Sequence, residues 1–437
     1  MELYTLLSAL PGVVAGLSTG YLLLLLAAAA VAQRKAGGRS AAVRREPSEC
    51  WRVAVLVPAH NEEPVLGATL ASLRAQRYPE EYLETVVIAD NCTDGTAEVA
   101  RKAKVTLLER TDPVNRGKGY ALNWAVANLL ARPEPPDAFI IVDADTWVAS
   151  DFVSVMTAVL ASRQDASGCC ALQGRYGVLN PGSGWRTRLM EAAFELFNHV
   201  RPLGSDHLGF SVGLKGNGMA FTRAVLERAP WEGRSITEDI DYGLDLLLRL
   251  GLRVSYVPEA RVLAQMPVTS AQAASQRERW ERGRYALLRE RVPQLLLQGL
   301  RKRDLRLCDA AFQLLLLPLA ELCGLVLVWG VLLAAGSLTG LLALPLLWLG
   351  LYLAVAVGVL GYVLGGLALA GATREVYLAL LRAPAYAIWK CVLYATRFFR
   401  PSRQTASPEW VRTERVPIPD LSPETVTGPL AAGGPER

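Results

Sequence analysis

Residues 3–32 carry no charged side chain, and residues 310–372 carry only one, Glu321. Each run exceeds the roughly 20 residues needed to cross a bilayer, so a wholly soluble fold is excluded. The 277 residues between them are charged and punctuated by Pro and Gly like a globular domain, which excludes a many-helix transporter. The chain is 51% hydrophobic and 20% charged, against about 25% charged in ordinary soluble domains. The apolar excess therefore lies in the two end blocks.

The run AAAAVA before Gln33 resembles a signal-peptide cleavage site. The start MELY lacks a positive n-region, however, and the apolar run is about twice the usual h-region, so a retained helix is expected. Arg34, Lys35, Arg39, Arg44 and Arg45 follow it, and by the positive-inside rule the chain from Cys50 onward is cytoplasmic. In the second block a break at 336–340 predicts two spans, near 312–335 and 341–370. Arg301, Lys302, Arg303 and Arg306 before it and Arg374 after it make this an out-and-back hairpin with cytoplasmic ends. Glu321 falls mid-span in that reading, as a protonated carboxyl hydrogen-bonded between helices or as a group on a product path. Residues 375–400 mix Arg and Lys with Tyr and Trp, the pattern of an interfacial amphipathic helix, interrupted at Pro384. The tail after Pro401 is rich in Pro, Ser, Thr and Gly and has no expected core.

The expected organisation is an N-terminal transmembrane helix and basic linker (1–50) and a globular domain (51–295). A linker and helical hairpin (296–372), an interfacial helix (373–400) and a flexible tail (401–437) follow. The net charge of +5 is carried beside the apolar runs, which points to a lipid bilayer and not to nucleic acid. Seven scattered cysteines without a CxxC pair and only three histidines argue against a disulfide framework or a zinc site.

From Trp51 onward short β-branched runs alternate with helical stretches, the signature of βαβ units around a mostly parallel sheet. The strand at 53–57 ends at Pro58, that at 86–89 at Asp90, and that at 139–142 at Asp143. Two strands thus deliver a carboxylate at their carboxyl ends, where open α/β sheets bind ligands. Asp143 and Asp145 form a pair able to hold Mg2+ or Mn2+ through oxygen, cations that typically bridge to substrate phosphates; a turn-forming Asp with a capping partner is the plainer alternative. Thr237, Glu238, Asp239 and Asp241 precede an apolar-periodic helix at 244–250, which by itself is an ordinary helix start. Gln276, Arg279 and Trp280 lie in a polar helical stretch, Gln276 and Trp280 sharing a face; alone, this reads as a solvated helix.

Taken in order, Asp90, Asp143-Ala-Asp145, Thr237-Glu-Asp239 and Gln276-Arg-Glu-Arg-Trp280 resemble the motifs of membrane-bound glycosyltransferase family 2 of the processive type. That group includes the cellulose, chitin and hyaluronan synthases, and the motif set is also similar to that of ceramide glucosyltransferase. The resemblance covers about residues 52–290 and implies a GT-A fold, an α/β Rossmann-like sheet, beside transmembrane helices. It implies an inverting hexosyltransferase that moves a sugar from a UDP-sugar to a growing polysaccharide, the alternative being a single transfer to a lipid or polyprenyl acceptor. Carried over by position, Pro58, Glu62 and Asp90 border the uracil, Lys118 and Arg279 meet the donor, and Asp143 and Asp145 hold the metal. Asp239 is the general base, and Thr237, Glu238, Gln276 and Trp280 line the acceptor. The segment Lys215-Gly-Asn-Gly-Met219 corresponds to a Gly-containing segment beside the acceptor. Residues 410–415 are similar, at different spacing, to a gating loop. A polymer channel built from so few spans implies a homo-oligomer or an auxiliary subunit, and the implied location is the bacterial inner (plasma) membrane.

Overall fold

The computed structural model describes residues 2–36, 50–232, 237–267, 270–384 and 386; the side chains of 2, 3, 6, 7 and 270–282 fall outside that description. In chain order the elements begin with α1 (Glu2–Ala36), β1 (Val53–Ala59), α2 (Glu63–Arg74), β2 (Leu83–Asp90), α3 (Thr96–Lys102), β3 (Thr106–Arg110) and α4 (Lys118–Leu130). Then come β4 (Ala138–Ile141), β5 (Thr146–Val148), α5 (Phe152–Arg163), β6 (Ala171–Val178), α6 (Trp185–Phe194), a π-helical turn at Glu195–Val200 and α7 (Arg201–His207). The remainder are β7 (Met219–Thr222), α8 (Arg223–Arg228), α9 (Glu238–Leu250), β8 (Val254–Ala264), α10 (Ser270–Lys302), α11 (Leu305–Leu315), α12 (Leu319–Leu338), α13 (Pro345–Leu369) and α14 (Arg374–Leu380).

All eight strands form one sheet in the order β3-β2-β1-β4-β7-β6-β8-β5. The half β3-β2-β1-β4 is parallel throughout, which is why β1 reads as an unbroken apolar run: it is covered on both faces. Its side chains alternate between two cores. Val53, Val55 and Val57 pack with Leu66 and Leu70 of α2 and Phe152 and Met156 of α5. Ala54 and Leu56 face Leu122 and Ala125 of α4 and Leu246 of α9. Fully burying side chains of this size contributes about 1.5–3 kcal/mol each. The other half is mixed: β7 runs antiparallel to β4 and β6, while β8 pairs parallel with β6 and antiparallel with β5. The sheet is thus of the mixed GT-A type, with a parallel half that carries the strand-end carboxylates.

Three described helices are long and apolar enough to cross a membrane, Ser8–Lys35 within α1, α12 and α13. α1 packs on the catalytic domain through α7, where Gly204 lets the backbone at Leu25 come so near that a Cβ would stand 2.2 Å from its carbonyl oxygen. On α13, Gly366 makes the same allowance for Leu196 in the π-helical turn.

The C-terminal helices depart from the expected spans. The first starts at Leu319, not near 312, because Pro318 cannot continue a helix and disfavours helical geometry in the residue before it. Residues 305–315 form the separate α11, which packs on α9 and α10. The break also lies later than 336–340: α12 continues through Gly336, which abuts Tyr4, and ends at Leu338. Glu321 accordingly sits in the first turn of α12, not mid-span, and pairs with Arg284 of α10 at 3.4 Å. α10 runs unbroken across residue 295. Of the helix expected over 373–400, the described residues show α14, which buries Val376 and Ala379, then a turn at 381–382 and helical geometry again at 383, 384 and 386, where Tyr386 N–H donates to the Arg382 carbonyl at 3.1 Å; residue 385, the stretch from 387 to 400 and the tail with residues 410–415 lie outside the described residues.

Candidate active site

The carboxyl ends of the parallel strands converge on one rim. β1 delivers Pro58 and, just beyond, Glu62, whose backbone N–H donates to Thr96 Oγ1 at 2.8 Å. β2 ends on Asp90, which is buried and accepts from Arg110 Nη1 at 2.6 Å and from Asn91 Nδ2 at 3.0 Å, both on Oδ1. Arg110, the last residue of β3, also reaches Asp112 at 2.8 Å, so the expected uracil-binding carboxylate sits inside an ion-pair network. Arg110 was not singled out from the sequence. The signal that could have found it is its place at a strand end neighbouring Asp90.

Beyond β4, Asp143 is ion-paired to Lys118, the first residue of α4. The same ammonium donates to the carbonyl of Gly216, and Gly119 N–H donates to Glu238 Oε2 at 2.7 Å. Asp143 N–H donates to Asn217 Oδ1 at 3.2 Å, and Asn217 Nδ2 to Thr146 Oγ1 at 2.8 Å. Residues 215–219 therefore bridge the Asp143 turn to the start of α9. Gly216 (φ +80°) and Gly218 (φ +68°) take left-handed geometry that L side chains rarely adopt. A Cβ on Gly218 would stand 2.7 Å from Val262, and one on Gly216 would stand 3.1 Å from Asp239 Oδ2.

The charges here are mutually tuned. Burial pushes the Glu238 carboxyl up to about 8, with Lys118 opposing and Asp239 reinforcing the shift. Burial also raises Asp239, against the pull of Lys118 and Lys215. Burial works against the Lys118 charge, yet Asp143, Glu238 and Asp239 hold its ammonium above the ordinary lysine value. Asp145 is 6% exposed, while Asp143 stays partly open to solvent. Thr237 immediately precedes α9, and its methyl lies 2.3 Å from where a Cβ on Gly283 of α10 would stand. Gln276, Arg279 and Trp280 are helical and lie three to seven residues before Gly283, about 5–11 Å along the axis; their side chains lie outside the described residues.

The residues suit a divalent cation in part. Asp143 and Asp145 supply hard oxygen donors from one turn, the donor type that Mg2+ and Mn2+ take. Among the described residues no three His, Cys, Asp or Glu side chains converge on one point. The two carboxylates would need substrate oxygens to complete a coordination shell.

The rim of the mixed sheet thus gathers Asp90, Asp143, Glu238 and Lys118 at the parallel strand ends. Residues 51–283 match the family model described as Glycosyltransferase like family 2, more than half of the chain, and the chain belongs to that family. It is similar to the probable glycosyltransferase YdaM of Bacillus subtilis (strain 168), 28% identical over 254 residues, covering 56% of this chain and 58% of that one. It is also similar to the beta-monoglucosyldiacylglycerol synthase of Nostoc sp. (strain PCC 7120 / SAG 25.82 / UTEX 2576), 31% identical over 244 residues, covering 53% of this chain and 49% of the relative. The chain thus spans between half and six-tenths of the length of these relatives. Among solved structures it is similar to the mannosyltransferase PcManGT from Pyrobaculum calidifontis, in complex with GDP-Man and Mn2+. That match has 19% identity and a TM-score of 0.43, covering 79% of this chain and 98% of that one.

Proposed function

We propose that this chain is an inverting glycosyltransferase, anchored in a membrane by α1, α12 and α13 with its catalytic domain on the cytoplasmic side, that transfers one sugar from a UDP-sugar to the hydroxyl of a lipid acceptor. The observation that carries the reading is the Asp239 carboxylate against Gly216, in one cluster with Lys118, Asp143 and Glu238 at the parallel strand ends. Asp239 takes the proton of the acceptor hydroxyl as its oxygen bonds to the anomeric carbon. The bond from that carbon to the UDP oxygen breaks with its electron pair leaving on the diphosphate. One displacement inverts the anomeric centre, and a base so positioned contributes about 10²–10⁴-fold. Pro58, Glu62 and Asp90 border the uracil, and Lys118 and Arg279 face the diphosphate. Thr237, Glu238, Gln276 and Trp280 form the acceptor side. Asp143 and Asp145 would hold Mg2+ or Mn2+, which supplies positive charge to the departing diphosphate when bound.

Three helices among the described residues are long and apolar enough to cross a membrane, which sets the catalytic domain beside lipid and supports a lipid acceptor. The name of the Nostoc relative is in keeping with that choice. A growing polysaccharide remains the second reading, since the four motifs resemble those of processive synthases as well as those of single-sugar transferases. Incubating the purified chain in lipid with radiolabelled UDP-glucose, UDP-N-acetylglucosamine or UDP-galactose, with and without Mn2+, tests both. One shifted lipid product is expected. A ladder of lengths would select the polymer, and no UDP release from any donor would overturn the reading altogether.

A further inference from the structure

The π-helical turn at Glu195–Val200 interrupts what would otherwise be one helix from α6 into α7, and such turns frequently mark functional sites. It presents Phe197, 45% exposed, and Arg201 begins the next helix. Arg201 Cζ lies 4.8 Å from the Phe197 ring centroid and Lys215 Nζ lies 4.1 Å from the same centroid. The two charges are therefore no more than about 9 Å apart. Both are half-buried, and among the described residues neither forms a salt bridge: Asp309 acts on Arg201 and Asp239 on Lys215 only from beyond ion-pair distance. Burial and the neighbouring Arg201 push the Lys215 ammonium down to about 7, with Asp239 opposing. A pair of cations left in this state is costly unless an anion completes it.

The surroundings say which anion. On one side Lys215 adjoins Gly216 and so the Asp239 carboxylate. On the other, α7 lies flush on α1 at Gly204 and Leu25, and Leu196 of the same turn meets Gly366 of α13. Whatever binds here has its polar group beside the base and apolar helices behind it. An arginine fork and a lysine together match the oxygens of a phosphate.

We propose that Arg201 and Lys215, gathered on the Phe197 ring, form a subsite for the phosphate of a phosphate-bearing lipid acceptor, holding it so that its hydroxyl reaches Asp239. The subsite rests on the assignment of Asp239 as the acceptor's base, and it narrows the acceptor class from lipids in general to anionic ones.

The test measures binding and not transfer. The full chain in detergent micelles, saturated with UDP, is titrated calorimetrically with dihexanoyl phosphatidylglycerol, which carries both a phosphate and free hydroxyls, or with dihexanoylglycerol or inorganic phosphate. The phosphatidylglycerol should bind at least about tenfold more tightly than either of the others. Arg201→Gln and Lys215→Gln should each weaken it about tenfold, while Arg201→Lys and Lys215→Arg stay within about threefold of wild type. The charge-retaining pair separates a lost contact from a misfolded protein. The subsite is overturned if inorganic phosphate binds as tightly as the lipid, if saturating UDP abolishes lipid binding, or if the glutamine variants bind as wild type does. Because no sugar moves in this assay, lipid binding without UDP release from any donor would sink the transferase reading and leave the subsite standing.

Discussion

Glu238 Oε2 accepts the backbone N–H of Gly119 at 2.7 Å across 119 residues of sequence. The second residue of the Thr237-Glu-Asp segment thereby holds the first turn of α4, whose first residue Lys118 is the partner of Asp143. The acidic start of α9 and Lys118 are one mechanical unit. Glu238 keeps its proton up to about 8 in the fold, against an ordinary 4.5 for the unfolded chain. The folded state therefore binds the extra proton between those values, and the contribution of Glu238 to stability falls as pH rises from about 4.5 to about 8. Glu238→Gln retains an acceptor for Gly119 and cannot ionise. Its Tm relative to wild type should climb steadily across that window, measured by thermal unfolding in detergent. A constant difference between the two proteins would remove Glu238 from this role.

Asp239→Asn should leave UDP affinity near wild type and lower kcat by about 10²–10⁴-fold, measured by UDP release and by calorimetric titration of UDP. The raised Asp239 carboxyl sets a further expectation. Turnover needs the deprotonated form, so kcat/KM in the wild type should rise with pH on a limb displaced above the ordinary carboxylate range. A limb at the ordinary aspartate value would assign the base elsewhere.

Gly216 and Gly213 both have positive φ, +80° and +68°, but only Gly216 has a neighbour where a Cβ would go. Each change to Ala should cost about 1–2 kcal/mol of stability from the left-handed backbone. Gly216→Ala should also crowd the Asp239 carboxylate, which would lie 3.1 Å from the new methyl. Its kcat should thus fall well below that of Gly213→Ala at similar Tm. Equal activity in the two variants would mean that the position of Asp239 tolerates movement.

How much of this was legible beforehand depends on sequence distance. The strands β1, β2 and β4 could be read because parallel strands covered on both faces are short apolar runs, and Asp90 and Asp143 could be read because they close the runs of β2 and β4. The antiparallel pairings of β7 with β4 and β6 could not, since strand order is set by long-range packing that leaves no local period. The Arg110–Asp90 pair was missed for a similar reason: it joins two strand ends 20 residues apart on neighbouring strands. The late start of α12 was visible in Pro318 but lost within a long apolar block, and the position of Glu321 followed that misplacement. Lys118 is singled out in the sequence only through the family resemblance, whereas its tie to Gly216 and its proximity to Glu238 exist only in the fold.

Asp143 cannot serve a cation and Lys118 equally, and this competition predicts how metal and donor bind. With Lys118 on Asp143, and no third convergent ligand among the described residues, the free protein offers a cation two carboxylates from one turn, one of them already neutralised. A diphosphate gives Lys118 an alternative anion and adds oxygens to the same point, so metal and nucleotide should bind cooperatively. Titrating Mn2+ calorimetrically should give an affinity at least about tenfold higher with UDP present than without it. By linkage UDP should bind tighter by the same factor when Mn2+ is present. Lys118→Met frees Asp143 and should raise Mn2+ affinity in the absence of UDP while weakening UDP itself, so that the coupling shrinks. Asp145→Asn should lower Mn2+ affinity with and without UDP. Equal Mn2+ affinity in both conditions, or UDP release that survives chelation of divalent ions, would take Asp143 and Asp145 out of metal binding and leave the diphosphate to the basic side chains alone.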